Sequence, residues 1–421
     1  MAIVADTLED WLAALEQLHP TPIELGLARI QAVAEQMGLL QLPCPLITVA
    51  GTNGKGSTVT YLDAIYRAAG YRTCCQFSPH MLRFNERIRL NGQDASDAQI
   101  LEALAAVESG RGEISLTYFE YTVLAAVWLY LRNDPDVIIL EVGLGGRLDA
   151  CNIWDCDLAV VTNIAIDHQR WLGDSREAIG GEKGAIARAG RPAVVGDVDP
   201  PDSLINTLND IGANTQLINR DFLVVSQKDG WTYKSATEEL QLPMPALAGE
   251  WQLVNAACAV TAVQTLNERL PVDTAAIAQG LQRAHIAGRF QRGSIEGVAV
   301  VMDVGHNPDA ARRLASQLRQ EQTKGKTFAV SAVMADKDLD GMLEHLAGCF
   351  DGWYLGSLSI DRAMLPVDYQ AHIQKVSSAS VSCSDSLQRA LDLAIAAAGC
   401  DDRVVVFGSF YTVAELITRI A

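Results

Sequence analysis

Residues 46–50, Leu-Ile-Thr-Val-Ala, form an apolar run that passes straight into Gly51-Thr52-Asn53-Gly54-Lys55-Gly56-Ser57-Thr58 and then into a helical pattern over 59–69. A buried strand, a glycine turn and a helix start in that order are the unit of a parallel α/β sheet. The glycines let backbone N–H groups point inward, and the helix N-terminus adds partial positive charge, so the turn can cradle phosphate. Lys55 can then reach outer phosphates, and Ser57 or Thr58 can hold Mg²⁺. Lys55 is followed by Gly56 and not by Ser or Thr, so the spacing departs from the common Walker A loop. A merely structural glycine turn is the bland alternative.

The same alternation continues along the chain. Helices are expected at 8–18 and 23–36, separated by His19-Pro20-Thr21-Pro22. Strands are expected at 46–49, 72–76, 137–141, 158–161 and 193–195, with helices at 57–69, 97–108, 117–132 and 176–189. Short alternating segments at 222–226, 231–234 and 240–242 read as a small antiparallel patch. Helices at 251–266 and 273–284 follow. A second α/β series has strands at 298–302, 328–333, 352–355 and 403–407 and helices at 308–320, 385–398 and 411–420. At 421 residues the chain exceeds the size at which one core stops growing. Two domains are expected, 1–287 and 288–421, with a site in the cleft between them.

The chain is 49% hydrophobic and 20% charged, the composition of an ordinary soluble protein. No apolar run approaches a bilayer span, and the start MAIVADTLEDW lacks the features of a secretory signal. The nine cysteines are scattered without any CxxC, which argues against a disulfide framework or a zinc site and for a cytoplasmic location. A formal charge of −18 disfavours binding to nucleic acid or anionic membrane. A site for an anionic substrate must therefore carry its own local positive charge.

Several residues fall where strands end, the place where open parallel sheets bind ligands. Glu141 closes the strand 137–141 and precedes the glycine-rich 142–149, where it can hold Mg²⁺ directly or through water. Asp167-His168 follows strand 158–161 and Asn163, and beside Glu141 His168 becomes a second candidate ligand. Ser78 of Ser78-Pro79-His80 follows strand 72–76 and could ligate Mg²⁺ or cap a turn. Lys183, in Glu182-Lys183-Gly184, reads as an ordinary solvated lysine, and Asn255 as a structural amide in a helix. Arg289 at the hinge could clamp phosphates, and Asp303 could bind a ribose or adenine edge. Asn307-Pro308 makes a reasonable helix start. Gly408-Ser409-Phe410 repeats the strand–turn–helix arrangement with low specificity.

Together these segments resemble the Mur ligase superfamily, and within it the bacterial bifunctional dihydrofolate synthase/folylpolyglutamate synthases. GTNGKGS, SPH, LTYFEYTVLAA, EVGLGGRLDA, TNIAIDH, GEKGAI, GRFQ, DVGHNP and VFGSFYTV occur in family order from residue 19 to the end. EVGLGGRLDA and LTYFEY are the most specific. The resemblance implies a P-loop ATPase domain with a parallel sheet and an added small β region, a C-terminal Rossmann-like α/β domain, and closure between them.

It also implies roles. Thr52, Asn53, Gly54, Lys55, Gly56 and Ser57 would bind ATP phosphates, and Asn255, Arg289 and Asp303 would contact the nucleotide. Ser57, Ser78, Glu141 and His168 would hold two Mg²⁺ ions. Lys55, His168 and Lys183 would be catalytic, Lys183 matching the lysine that becomes carbamylated in this family. Gln17, Leu18, His19 and Pro20, Thr117, Tyr118, Phe119 and Glu120, and Leu148, Asp149 and Ala150 match the pterin-binding surface. Gly184-Ala185 and Gln169-Arg170 depart from the usual pattern, but neither pair touches a proposed metal ligand.

The activity implied is ATP-dependent joining of L-glutamate to 7,8-dihydropteroate and to reduced folates through an acyl phosphate, by a monomer with small-molecule partners only. Three alternatives differ from it: a folylpolyglutamate synthase without the dihydropteroate reaction, a cell-wall Mur-type amino acid ligase, and an NTPase switch. The FEY and GGRLDA segments favour a folate over a cell-wall precursor, and the early helices leave little room for a UDP-binding domain. A switch would hydrolyse ATP without a carboxylate and an amine.

Overall fold

The computed structural model describes residue 3 and residues 5–21 and 23–420. Met1, Ala2 and Val4 of the amino-terminal segment and Pro22 of the expected inter-helix turn lie outside the described residues. The chain divides into two compact units, Met1–Ala246 with Leu253–Ala284, and Leu247–Gln252 with His285–Ala421.

The first unit is built on eight strands: β1 (Leu46–Ala50), β2 (Thr73–Gln76), β3 (Ile88–Leu90), β4 (Gln93–Asp94), β5 (Val137–Glu141), β6 (Leu158–Val161), β7 (Pro192–Val195) and β8 (Asn214–Leu217). Their order is β4-β3-β2-β5-β1-β6-β7-β8. All pairs from β2 to β8 are parallel, and β3 and β4 add an antiparallel edge. β1 and β5 are buried at every position, as expected of central parallel strands covered on both faces. Val49 pairs with Glu141 and Ala50 with Val161, so β5, β1 and β6 end at one level.

Helices cover this sheet. Tyr118–Tyr130 is apolar all round and nearly wholly buried, the pattern of a core helix. It starts in a capping box, Thr117 with Glu120, which satisfies two N–H groups that its first turn leaves over. Thr274–Arg283 packs on Lys55–Ala68, with Gly280 against Ile65. β9 (Phe222–Gln227), β10 (Gly230–Ser235) and β11 (Glu239–Leu242) form the expected antiparallel patch.

The described residues of the second unit form six strands: β12 (Gln291–Ile295), β13 (Val298–Asp303), β14 (Thr327–Ser331), β15 (Gly352–Leu355), β16 (Ser380–Cys383) and β17 (Arg403–Phe407). They are ordered β12-β13-β17-β14-β15-β16 and are parallel except for edge strand β12. Phe350 stacks on Phe407 at 5.4 Å, and Trp353 is fully buried beside them.

Where the structure adds elements, the reason is visible. β4, β8, β12 and β16 are edge or near-edge strands with exposed polar positions, so they lack an apolar run. The helix expected over 176–189 stops at Gly184, with Ala185 as its cap. Helices Asp202–Ile211, Leu339–Leu346 and Pro366–Val376 also form. The first rests on Leu204 and Leu208, an apolar pair at helical spacing within a polar stretch. None of the nine cysteines forms a disulfide.

Candidate active site

β2, β5, β1 and β6 are neighbours in the sheet, and the loops leaving their carboxyl ends carry most of the residues singled out by the sequence. Ser78 follows β2, Glu141 closes β5, residues 51–57 follow β1, and Asn163, Asp167 and His168 follow β6. Only the parallel pairing brings these four distant segments to one edge of the sheet.

Gly54 is the N-cap of helix Lys55–Ala68 and has φ +88°. A side chain there would be strained, and its Cβ would lie 2.5 Å from Oδ1 of Asn255. Asn255, on helix Glu250–Thr265, therefore sits directly over the turn. The backbone N–H of Thr52 donates to the Asn163 carbonyl at 2.8 Å, and that of Asn53 to Asn163 Oδ1 at 2.8 Å. Thr52 Oγ1 both donates to the Ala165 carbonyl and accepts from the Ala165 N–H, each at 3.0 Å. These two residues thus anchor the turn to the β6 loop. The N–H groups at the helix start, from Gly54 to Ser57, are the ones aimed out of the helix end. Ser57 is buried there, 1% exposed.

Lys55 Nζ donates to the carbonyls of Gly51 at 3.0 Å and Thr52 at 3.2 Å. Lys183 Nζ donates to the same Gly51 carbonyl at 3.0 Å. The sequence reading of Lys183 as a solvated cation is corrected: the residue is 5% exposed. Burial, and secondly the Lys55 charge, pull its pKa down to about 7, with Asp167, Asp149 and Glu182 opposing. A neutral amine near pH 7 is the form that can add CO₂ and become a carbamate.

Glu141 is buried at 4% exposed and its Oε2 accepts the Ser78 N–H at 3.1 Å. His168 is exposed, has φ +53°, and starts the short helix Gln169–Leu172. Among the described residues no three His, Cys, Asp or Glu side chains cluster to form a cation cage by themselves. Mg²⁺ keeps several waters and binds one or two protein oxygens together with substrate phosphates. A buried serine hydroxyl at the glycine turn and a buried carboxylate at the adjoining strand end are such a donor set.

The segments 17–20, 117–120 and 148–150 also lie near one another through their neighbours. His19 bonds Ser115 Oγ at 2.8 Å and Glu24 at 2.9 Å. Arg29 pairs with Glu24 and, at 3.2 Å, with buried Glu120. The Phe119 ring packs on Gly143, and Asp149 Oδ2 accepts the N–H groups of Gly143 at 3.1 Å and Leu144 at 2.8 Å. Asp149 Oδ1 takes the Cys151 N–H at 3.0 Å, while burial pushes the carboxyl pKa up. The Asp149 carboxylate thus shapes its own loop. Arg87 lies over Phe84 and Tyr118 at 5.9 and 5.6 Å. Gln17 and Pro20 are exposed.

In the second unit, Asp303 accepts the N–H of Gly305 at 2.8 Å and of Phe290 at 2.9 Å, and burial raises its pKa. Arg289 lies over the Phe410 ring at 5.0 Å. Sequence reasoning assigned no task to Asn163, Arg29 or the pair Arg147–Glu182, which joins at 2.8 Å and ties the glycine-rich loop to the helix of Lys183. An Asn directly after a strand that faces a phosphate loop was the one available signal.

A nucleotide-type turn, a buried acid beside it and a second α/β unit define a class, and comparison with known proteins agrees. Residues 49–263 match the Mur ligase middle domain, and residues 288–410 match the Mur ligase glutamate ligase domain. The dihydrofolate synthase/folylpolyglutamate synthase of Escherichia coli (strain K12) is 41% identical over 98% of this chain and 95% of its own length. E. coli FolC in complex with DHPP and ADP superposes with a TM-score of 0.93 at 41% identity, covering 98% of this chain and 97% of that one. A bifunctional folylpolyglutamate synthase/dihydrofolate synthase with Mn, AMPPNP and L-glutamate bound gives 0.90 at 42% identity, covering 98% of each chain. The chain belongs to the dihydrofolate synthase/folylpolyglutamate synthase family of Mur ligases.

Proposed function

We infer that the chain is an ATP-dependent ligase that adds L-glutamate to 7,8-dihydropteroate, forming dihydrofolate, and to folylpolyglutamates. The observation that carries this is one sheet edge holding a phosphate turn, a buried acid at 4% exposed and a buried lysine beside the 117–120 and 148–150 segments. A carboxylate is a poor acylating agent, so ATP supplies the leaving group. The substrate carboxylate attacks the γ-phosphorus, the bond to ADP breaks, and an acyl phosphate forms. The α-amine of glutamate then attacks the acyl carbon, loses a proton, and phosphate leaves.

Phosphoryl transfer needs chiefly positioning and neutralised charge. Gly54–Ser57 hold the phosphates on a helix end, and Lys55 reaches the transferring group. Mg²⁺, for which Ser57, Ser78, Glu141 and His168 are the assigned holders, neutralises phosphate charge when bound. A carbamate on Lys183 would turn a buried cation into an anion beside the turn. Phe119 and the 148–150 loop face the pterin. We read 1–287 as the ATP- and pterin-binding module and 288–421 as the Rossmann-like ligase module. We also take the protein to be a cytoplasmic monomer without nucleic-acid or membrane partners, as its charge of −18 favours.

The test is ADP release with glutamate and either 7,8-dihydropteroate or a reduced folate. Release with both is expected. Release with the folate alone would remove the first activity, and release without an acceptor would turn the reading into an NTPase.

A further inference from the structure

Residues 162–168 leave β6 without regular structure, so their backbone groups need other partners. Residues 163 and 165 turn to the phosphate turn, through Thr52 and Asn53. Ile164, between them, faces the other way. Its N–H donates to Asp197 Oδ2 at 2.6 Å, and its carbonyl accepts from Arg176 Nε at 3.0 Å. Arg176 Nη2 lies 3.4 Å from both Asp197 oxygens, closing the ring. Asp197 is 6% exposed and also takes the Asp199 N–H at 3.0 Å. Two charged side chains from separate elements thus hold both polar groups of one loop residue.

Arg176 has a second connection. It is the first residue of helix Arg176–Gly184, and Lys183 lies on that helix two turns on, with Nζ on the Gly51 carbonyl. The clamp therefore fixes the two supports of the phosphate turn, the β6 loop and the Lys183 helix.

We propose that Arg176 and Asp197 are positioning residues of the ligase reaction, setting the β6 loop so that Asn163 and Thr52 hold the phosphate turn for ATP. The proposal rests on the function inferred above. Both act through Ile164. Misplacing catalytic groups by about 1 Å costs up to about a hundredfold in rate.

The experiment uses Arg176→Ala, Arg176→Lys and Asp197→Asn in the full chain, below the melting temperature of each. For Arg176→Ala, kcat/KM for ATP is expected to fall about tenfold to a hundredfold, with KM for dihydropteroate within about twofold of the parent. Arg176→Lys recovers part of the loss, because one donor to Ile164 remains possible. Without ligands, amide exchange across residues 51–58 should quicken about tenfold, since the loop that anchors them is loosened. Should Arg176→Ala not fold, Asp197→Asn, the same shape without charge, carries the test.

Unchanged ATP kinetics together with unchanged exchange in folded variants would overturn the proposal. So would an equal loss for dihydropteroate, which marks general damage. A parent without glutamate ligation would overturn the functional reading instead, and the exchange measurement would still decide the clamp.

Discussion

Two strand–turn–helix units, one in each sheet, finish their turns in opposite ways. After β1, Gly54 caps helix Lys55–Ala68 with no side chain to offer, at φ +88°. After β13, Asn307 caps helix Pro308–Gln320 by accepting the Ala310 N–H at 2.9 Å, and Pro308 occupies its first position. Asp303 closes that second turn further by taking the N–H groups of Gly305 and Phe290. The first helix starts without a side-chain cap, and the second takes one from its own chain. Parallel α/β topology repeats the same slot, and the residues at the cap decide whether it can accept an anion.

The sharpest way to break this contrast is at the uncapped turn. Lys55→Ala and Glu141→Ala are each expected to lower turnover at least about a hundredfold, as loss of a principal charge stabiliser does. Near-normal ligation in either variant would refute the role assigned to that residue.

Lys183 gives a smaller effect with a definite sign. Its pKa falls from 10.5 to about 7 on folding through burial and the Lys55 charge. Between those values the unfolded chain binds the extra proton, so this group's contribution to stability rises with pH. The cost of burying the ammonium is complete below about 7 and gone above about 10.5. Lys183→Met should flatten the rise in melting temperature from pH 7 to 9; an unaltered slope would show that no free amine titrates there. Lys183→Ala should regain part of its ligase activity with added short carboxylic acids if a carbamate acts. No rescue, with an unmodified lysine in the intact mass, would eliminate that role.

At the closed turn the expected effect is smallest. Asn307→Ala should cost about 1 kcal/mol in urea unfolding, the usual worth of a side-chain cap. A cost near zero would mean that its side chain does not close the turn, and the contrast with Gly54 would weaken.

The legible parts were those with strong local chemistry. The apolar strands β1, β5, β6 and β17 and the turn 51–57 stand out because burial on both faces and a glycine turn leave marks over five to eight neighbouring residues. The polar edge strands β8, β12 and β16 leave no such mark. Lys183 misleads when read alone, because the burial that lowers its pKa is created by segments more than 100 residues away, at Gly51. Arg176, Asp197 and Asn163 were unreadable as a group for the same reason: each looks like a surface polar residue until the sheet brings their loops together.

By itself the sequence determined the α/β class, the glycine turn after the first strand and the family, because periodicity and contiguous motifs are local properties of the chain. Only the tertiary structure decided which N–H groups of that turn are committed to Asn163, that Lys183 is buried, and that Ile164 is held from both sides. Those outcomes depend on pairing β1 between β5 and β6, a contact between distant segments whose consequence for each side chain is its solvent and its partners.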